Sequence, residues 1–286
     1  MKIVAIKGGL GNQLFQYALG RYLSVNLKEE IKIDNGVNSN RQDTYRKYTL
    51  DNFNITLPLA TKEEVKKNKY RFGLVSKIWR GVKAKIFRIY NIGFQPNILK
   101  TKEKYLEGFW QSPKYSDQIR DILLKEFTLK NPLSSFAKTW QDKILKSDNS
   151  ISIHIRRGDY IQNKKTNKFH GSCDEEYYKN ALELITKKIN KENAELFIFS
   201  DDIDWAKENL HFNFPTNFVS DNIIPDYEEM YLMSLCKNNI IANSSFSWWG
   251  AWLNQNSAKM IVAPKQWTTN RTANELGVLP KTWQQI

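Results

Sequence analysis

The sequence predicts an α/β protein built from two Rossmann-like halves, and three observations carry that prediction. Short β-branched runs alternate along the chain with longer stripes at helical spacing. The first run, KIVAIK at 2–7, opens into a glycine loop and then a helix. A polar break at 147–149 separates this alternation from a second one. The expected domains are therefore 1–147 and 148–286, a natural division for 286 residues.

The elements follow in order. Residues 2–7 are a short apolar strand flanked by Gly8 and Gly9. Over 12–25, Leu14, Phe15, Ala18, Leu19, Tyr22 and Leu23 recur with helical periodicity, and Asn12 stands where an N-cap belongs. Residues 31–34 read as the next strand. Residues 61–92 read as helical. There Val75, Ile78, Trp79, Val82, Ile86, Ile89 and Tyr90 form one face, and Lys77, Arg80, Lys83, Lys85 and Arg88 crowd the other. A short strand is expected at 105–110, with helices at 112–127 and 134–146. The second half gives strands at 150–155, 195–200, 217–220, 239–242 and 259–263. Between them lie helices at 174–192, 203–210, 226–236 and 247–255.

Composition removes several function classes. Hydrophobic residues make up 41% and aromatics 13%, enough for a packed core and too many for a disordered chain. No run approaches the roughly 18 apolar residues of a membrane-spanning helix. The first apolar run is too short for a secretory signal, so an unexported, cytoplasmic protein is expected. Cys173 and Cys236 make no disulfide framework and no C-x-x-C, and His154, His170 and His211 are scattered, so no cysteine or histidine metal cluster is expected. The net charge is +13, and residues 62–104 alone hold 13 Lys/Arg against 3 Asp/Glu. Such a segment is either a solvated basic face or a face for an anionic partner, a membrane surface before a nucleic acid.

In doubly wound sheets, ligands sit at the carboxyl ends of the strands. Four loops there carry chemistry. The loop GGLGNQ at 8–13 (with Gly11, Asn12 and Gln13) brings backbone N–H groups to a helix start, yet serves equally as a tight βα turn. It has neither a P-loop lysine nor a third fingerprint glycine, since Leu14 stands there. In HIRRGDY at 154–160, His154 and Arg156 share a strand face, and Arg156 and Arg157 can present forks to a phosphate. Asp159 can orient Arg156 or His154. The bland alternative is a structural Arg–Asp pair. In SDDID at 200–204, Asp202 and Asp204 match a cation-binding D-x-D, but Asp201 to Asp204 also stand at a helix start, where carboxylates cap. In NSSFSW at 243–248, Asn243, Ser244 and Ser245 gather polar groups at a helix start, and Phe246 could stack on a base; capping followed by core packing is the alternative. No Ser-His-Asp or Cys-His grouping appears, so nothing points to covalent catalysis. The set suits a transferase whose leaving group is a nucleoside diphosphate.

Taken together, GGLGNQLFQYALGRYL, HIRRGDY, FSDD and NSSFSWWGAWL resemble the bacterial α-1,2-fucosyltransferases, glycosyltransferase family 11. The resemblance runs from residue 3 to about 267 and is weakest over 60–105. It implies a GT-B architecture of two facing Rossmann-like domains. It implies transfer of L-fucose from GDP-β-L-fucose, held mainly by the C-terminal half, to the 2-hydroxyl of a β-galactoside that meets the N-terminal half. The transfer would invert the anomeric centre without metal or other cofactor. Arg156 would bind the β-phosphate, joined by Asp159 and Asn12 as catalytic residues. His154, Arg157, Asp201, Asp202, Asn243, Ser244, Ser245, Phe246, Gly11 and Gln13 would serve the donor, and Glu229 would take guanine or ribose hydrogen bonds. The acceptor would belong to surface polysaccharide and be lipid-linked, with the basic face at 75–90 resting peripherally on the inner leaflet of the cell membrane. Two rivals stand beside this reading. One is a metal-dependent transferase using Asp202 and Asp204. The other is a non-catalytic binder of nucleotide or anionic polymer.

Overall fold

The computed structural model describes residues 1–36, 47–69, 92–158, 173–189, 191–221 and 223–286. The fold is mixed α/β with parallel sheets, as the sequence predicts. It divides into two compact units, Met1–Lys130 with Leu276–Val278, and Asn131–Glu275 with Leu279–Ile286. The division thus comes earlier than the expected 147/148. The reason is the helix Ser135–Lys146, whose Ala137 and Ile144 join the apolar cluster of the second unit. Its N-cap Ser134 is held there too: the Ser134 amide and hydroxyl donate to the buried Glu228 carboxylate at 2.9 and 2.6 Å.

The first unit is built on a parallel sheet, ordered β2 (Ile31–Asp34), β1 (Lys2–Ala5), β3 (Tyr105–Leu106). β1 is buried along its whole length, as a central strand covered on both faces must be. Helix α1 (Leu10–Asn26) is buried on nearly every side, including Gln13, Gln16 and Tyr17, so its apolar stripe is wider than the sequence spacing suggests. Its far side is closed by a polar knot: the Tyr17 hydroxyl donates to Glu126 Oε2 at 2.6 Å, and Arg21 Nε reaches both Glu126 oxygens at 2.9 and 3.0 Å. The N-cap is Gly9, not Asn12, because the Asn12 amide already donates to the Gly9 carbonyl at 2.9 Å. The strand expected at 105–110 stops at Leu106, and the helix expected at 112–127 is broken into Pro113–Ser116, a 3-10 turn and Arg120–Glu126. Helix α2 (Lys62–Lys69) falls within the span expected to be helical at 61–92; residues 70–91, with the basic face at 75–90, lie outside the described residues. Among the described residues, no helix is long and apolar enough to cross a membrane.

The second unit carries a six-stranded sheet whose pairings are all parallel, in the order β11-β8-β7-β4-β5-β6. These strands are β4 (Asn149–Ile155), β5 (Ala194–Ser200), β6 (Thr216–Phe218), β7 (Asn238–Ile240), β8 (Ile261–Ala263) and β11 (Gln284–Gln285). A small hairpin, β9 (Gln266–Thr268) with β10 (Arg271–Thr272), lies between the last two. β5 is apolar on both faces: Leu196 and Ile198 join the cluster of Tyr178, Ala181 and Ile185, while Phe197 and Phe199 join that of Leu232 and Met233. The chain enters the sheet at β4, steps outward through β5 and β6, then returns to place β7 on the other side of β4. The strand order therefore reverses between β4 and β7, and a ligand crevice is expected outside their carboxyl ends.

Candidate active site

The loop leaving β4 is fixed by one carboxylate from the loop leaving β5. Arg156 Nη1 lies 3.0 Å from Asp201 Oδ2, both side chains being largely covered, at 18% and 24% exposure. Asp201 also accepts the backbone N–H of Arg157, at 2.8 Å, and that of Gly158. Burial works to raise the Asp201 pKa, but the Arg156 charge and these amides outweigh it and leave it below the ordinary value. The sequence offers Asp159 as the partner of Arg156, and Asp159 lies outside the described residues; among the described residues Asp201, 45 positions along, pairs with it.

Gly158 is required by that geometry. A Cβ there would stand 2.9 Å from Asp201 Oδ2 and 3.2 Å from the Asp201 carbonyl oxygen. Gly158→Ala should displace the carboxylate that orients Arg156 and weaken the nucleotide binding that the family resemblance implies about tenfold, ~1.4 kcal/mol. Gly9→Ala, whose Cβ would meet nothing within 4 Å, is the matched control. Calorimetric titration of both variants with GDP checks this, and equal affinities would remove Gly158 from the site.

His154 is buried at 3% exposure, with its ring centroid 5.5 Å from that of Phe246. Burial, helped by the Arg156 charge and opposed by Asp201, holds its pKa down at about 3. The imidazole is therefore neutral at physiological pH, and its Nδ1 has no hydrogen-bond partner among the described residues. The contact with Phe246 joins the end of β4 to the start of the helix after β7, the two strands flanking the order reversal.

Arg157 has a different setting. Its guanidinium lies 3.7 Å from the centroid of the Trp205 ring, and its Nε is 3.6 Å from Asp202. Asp202 occupies the N-cap position of helix Ile203–Asn209 without a side-chain cap bond. Asp204 lies 3.7 Å from Lys207 and is 87% exposed. Both D-x-D carboxylates thus have a cation beside them. Among the described residues, no three His, Cys, Asp or Glu side chains gather as metal ligands. Trp205 has no signal in the sequence beyond its place one turn into a helix.

Glu229, on helix Asp226–Leu235, belongs to the same neighbourhood. Burial holds its pKa up at about 8; a hydrogen bond from Ser220 opposes this, and the charges of Asp226, Asp221 and Asp201 add to it. Ser220 Oγ also accepts the Ser200 amide at 2.9 Å, and Ser200 Oγ accepts the Asp202 amide at 3.0 Å. Two serines thereby tie Glu229 to the end of β5.

In the loop after β7, Ser244 is the N-cap of helix Ser245–Leu253, its hydroxyl accepting the Phe246 amide at 3.3 Å. That role uses the buried Ser244 for capping. Asn243 is also buried, its amide donating to the Trp267 carbonyl at 3.4 Å. Ser245 and Phe246 open that helix and are half-buried, with Phe246 packed against the apolar cluster of Leu232 and Met233.

In the first unit, Gly8 takes φ +83°, a left-handed conformation natural for glycine. Gln13 is spent inside the loop: its amide donates to the Gly8 and Lys47 carbonyls at 2.9 and 2.7 Å and accepts the Thr49 N–H at 3.0 Å. These bonds build the loop, and Gly11 is buried within α1. Asn12 is half-buried, and its Oδ1 accepts Gln111 Nε2 at 2.8 Å. Gln16, fully buried, accepts the Lys7 N–H at 2.7 Å and donates to the Gly108 carbonyl at 3.0 Å, tying the loops after β1 and β3 together. Next to Gln111, Trp110 takes φ +55°, a strained conformation for a bulky residue that costs about 1–3 kcal/mol.

Comparison with known proteins bears on both units. The model of glycosyl transferase family 11 matches residues 1–286. The O-antigen biosynthesis glycosyltransferase WbnK of Escherichia coli is 35% identical, over 95% of this chain and 96% of its own. The alpha-1,2-colitosyltransferase of E. coli is 33% identical, over 99% and 98%. The crystal structure of the NodZ alpha-1,6-fucosyltransferase soaked with GDP-fucose superposes with a TM-score of 0.54 at 12% identity, over 88% of this chain and 91% of that one. This last likeness is one of fold, the GT-B type of α/β protein.

Proposed function

The chain belongs to glycosyl transferase family 11, and from that premise we propose that it moves L-fucose from GDP-β-L-fucose to the 2-hydroxyl of a β-galactoside, with inversion and without a metal. The Arg156–Asp201 pair beside the β4/β7 reversal carries this reading. It offers a guanidinium oriented by a carboxylate that two backbone amides hold in turn, at the edge where a nucleotide binds in such sheets. Ser245 and Phe246 open the helix that follows β7. Glu229 suits the guanine edge, whose N1–H and amino group donate to an ionised carboxylate.

In the reaction, the bond from fucose C1 to the β-phosphate oxygen breaks, and its electron pair leaves with GDP. Positive charge grows on the sugar ring as the phosphate gains negative charge. Arg156 stabilises that charge where it develops, which lowers the barrier and not merely the dissociation constant. The acceptor hydroxyl forms the new bond to C1 from the opposite face, and its proton passes to solvent water.

The metal-dependent alternative rests on Asp202 and Asp204. Their neighbours Arg157 and Lys207 would have to be displaced before either carboxylate could serve a divalent cation. Release of GDP from GDP-fucose, with lactose or N-acetyllactosamine as acceptor, is expected to depend on acceptor and to survive EDTA. Activity abolished by EDTA would restore the D-x-D reading. Fucose and colitose differ by one ring hydroxyl, so competition between the two GDP-sugars tests the donor. A preference for the colitosyl donor would overturn the fucosyl assignment.

A further inference from the structure

β1 and β3 are parallel neighbours, paired at Ile3↔Tyr105 and Val4↔Leu106, so the loops 7–9 and 107–112 leave the same edge of the sheet side by side. Three contacts bind these loops into one structure. Gln16 bridges the Lys7 amide and the Gly108 carbonyl. Lys7 Nζ lies 6.0 Å from the centroid of the Phe109 ring. Gln111 donates from Nε2 to Asn12 Oδ1 at 2.8 Å.

The last contact decides which end of the Asn12 amide is presented. An asparagine side chain can turn either its carbonyl oxygen or its amino group toward a ligand. With Oδ1 engaged by Gln111, the amino group is the end left to serve one. Gly8 helps to hold that choice. A Cβ at position 8 would lie 3.1 Å from Asn12 Nδ2 and 3.4 Å from Asn12 Cβ, so the Asn12 side chain lies against the bare α-carbon of a residue at φ +83°. Gln111 is itself fixed by its backbone, whose N–H donates to the Ile92 carbonyl, and it directly follows the strained Trp110. Strain of this kind persists only where the surroundings over-determine it, and it gathers at functional sites.

We propose that Gln111 is a positioning residue of the transferase: it acts through Asn12, locking that side chain as a hydrogen-bond donor toward the oxygens of the reacting sugar. The proposal rests on the fucosyltransferase reading above and on the catalytic place that the family resemblance gives Asn12 in it. Gln111 need not touch substrate. It sets the rotamer and polarity of the residue that does, which matters because small misplacements of an orienting group are costly in the transition state.

Asn12→Ala, Gln111→Ala, the double variant and Gln111→Glu form the test, assayed by acceptor-dependent GDP release. Gln111→Ala should lower kcat about tenfold with the donor KM within about twofold, the signature of an interaction that matters in the transition state. Gln111→Glu replaces the donor facing Asn12 by an acceptor. It should draw the Asn12 amino group toward itself and lose at least as much activity while leaving Tm near that of the parent. The double variant should be no slower than Asn12→Ala within about threefold, because the two residues act as a unit. Multiplicative losses in the double variant, or full activity in Gln111→Glu, would overturn the proposal. Parent protein inactive with GDP-fucose and galactosides would instead overturn the fucosyl reading. In that case the same cycle, read as GDP-sugar hydrolysis or transfer with the colitosyl donor, still decides the role of Gln111.

Discussion

Arg156→Ala is expected to lower kcat by about 10²–10³-fold, ~3–4 kcal/mol of transition-state stabilisation. Arg156 is half of a prebuilt pair. Asp201 holds Nη1 at 3.0 Å and is itself held by the Arg157 and Gly158 amides. Its fork therefore needs little reordering when the diphosphate begins to leave. Arg156→Lys should recover only a small part of the loss, since one ammonium cannot face both Asp201 and the phosphate as a planar fork does. Asp201→Asn should cost less than Arg156→Ala, because it frees the guanidinium without removing it. Arg157→Ala is expected to be milder in kcat, because that guanidinium is committed to the Trp205 face and to Asp202. Steady-state kinetics with GDP-fucose and a β-galactoside rank the four variants. Turnover of Arg156→Ala within tenfold of the parent would remove Arg156 from the chemistry.

The partner of Arg156 also shows where sequence reading stops. The strands of the second unit were legible because they are short apolar runs between helical stripes, and β4, β5 and β8 fall where the spacing puts them. The loops after them were legible because strand-end residues sit at ligand edges in this class of sheet. What joins those loops is not local. Asp201 reaches Arg156 because parallel pairing of Ile155 with Ser200 brings the two strand ends together. No sequence spacing encodes that register. The same holds for Gln13 and Asn12. As a motif both are polar residues in a glycine loop, yet burial spends one on the Gly8, Lys47 and Thr49 backbone and leaves the other half-exposed. β11, two residues long, carries too little pattern to be seen before its pairing with β8 is known. Trp110 gives no warning at all, because its conformation is imposed by what surrounds it.

Glu229 should make donor binding release a proton. Burial, reinforced by Asp226, Asp221 and Asp201 and opposed by Ser220, holds its pKa at about 8, so in the free protein the carboxyl is largely protonated at neutral pH. Guanine offers two donors on its N1 and amino edge, and only the ionised form accepts both. Binding therefore favours ionisation, and affinity for GDP-fucose should rise with pH by up to about tenfold per unit until about pH 8, then level off. A nucleotide sugar is the right probe, because its diphosphate has no terminal group titrating in that window. Stability of the free protein should run the other way. A folded pKa raised above the unfolded value of 4.5 means that the native state binds the extra proton between those pH values, so this contribution is present at low pH and lost as pH rises toward 8. Glu229→Gln should flatten both profiles. It should also weaken donor binding by about 10²-fold, since an amide can accept only one of the two guanine donors and leaves the other unpaired. Calorimetry in two buffers of different ionisation enthalpy counts the proton directly. A parent protein that releases none at pH 7, or that binds equally at pH 6 and pH 8, would place guanine elsewhere and leave Glu229 as a half-buried acid of the fold.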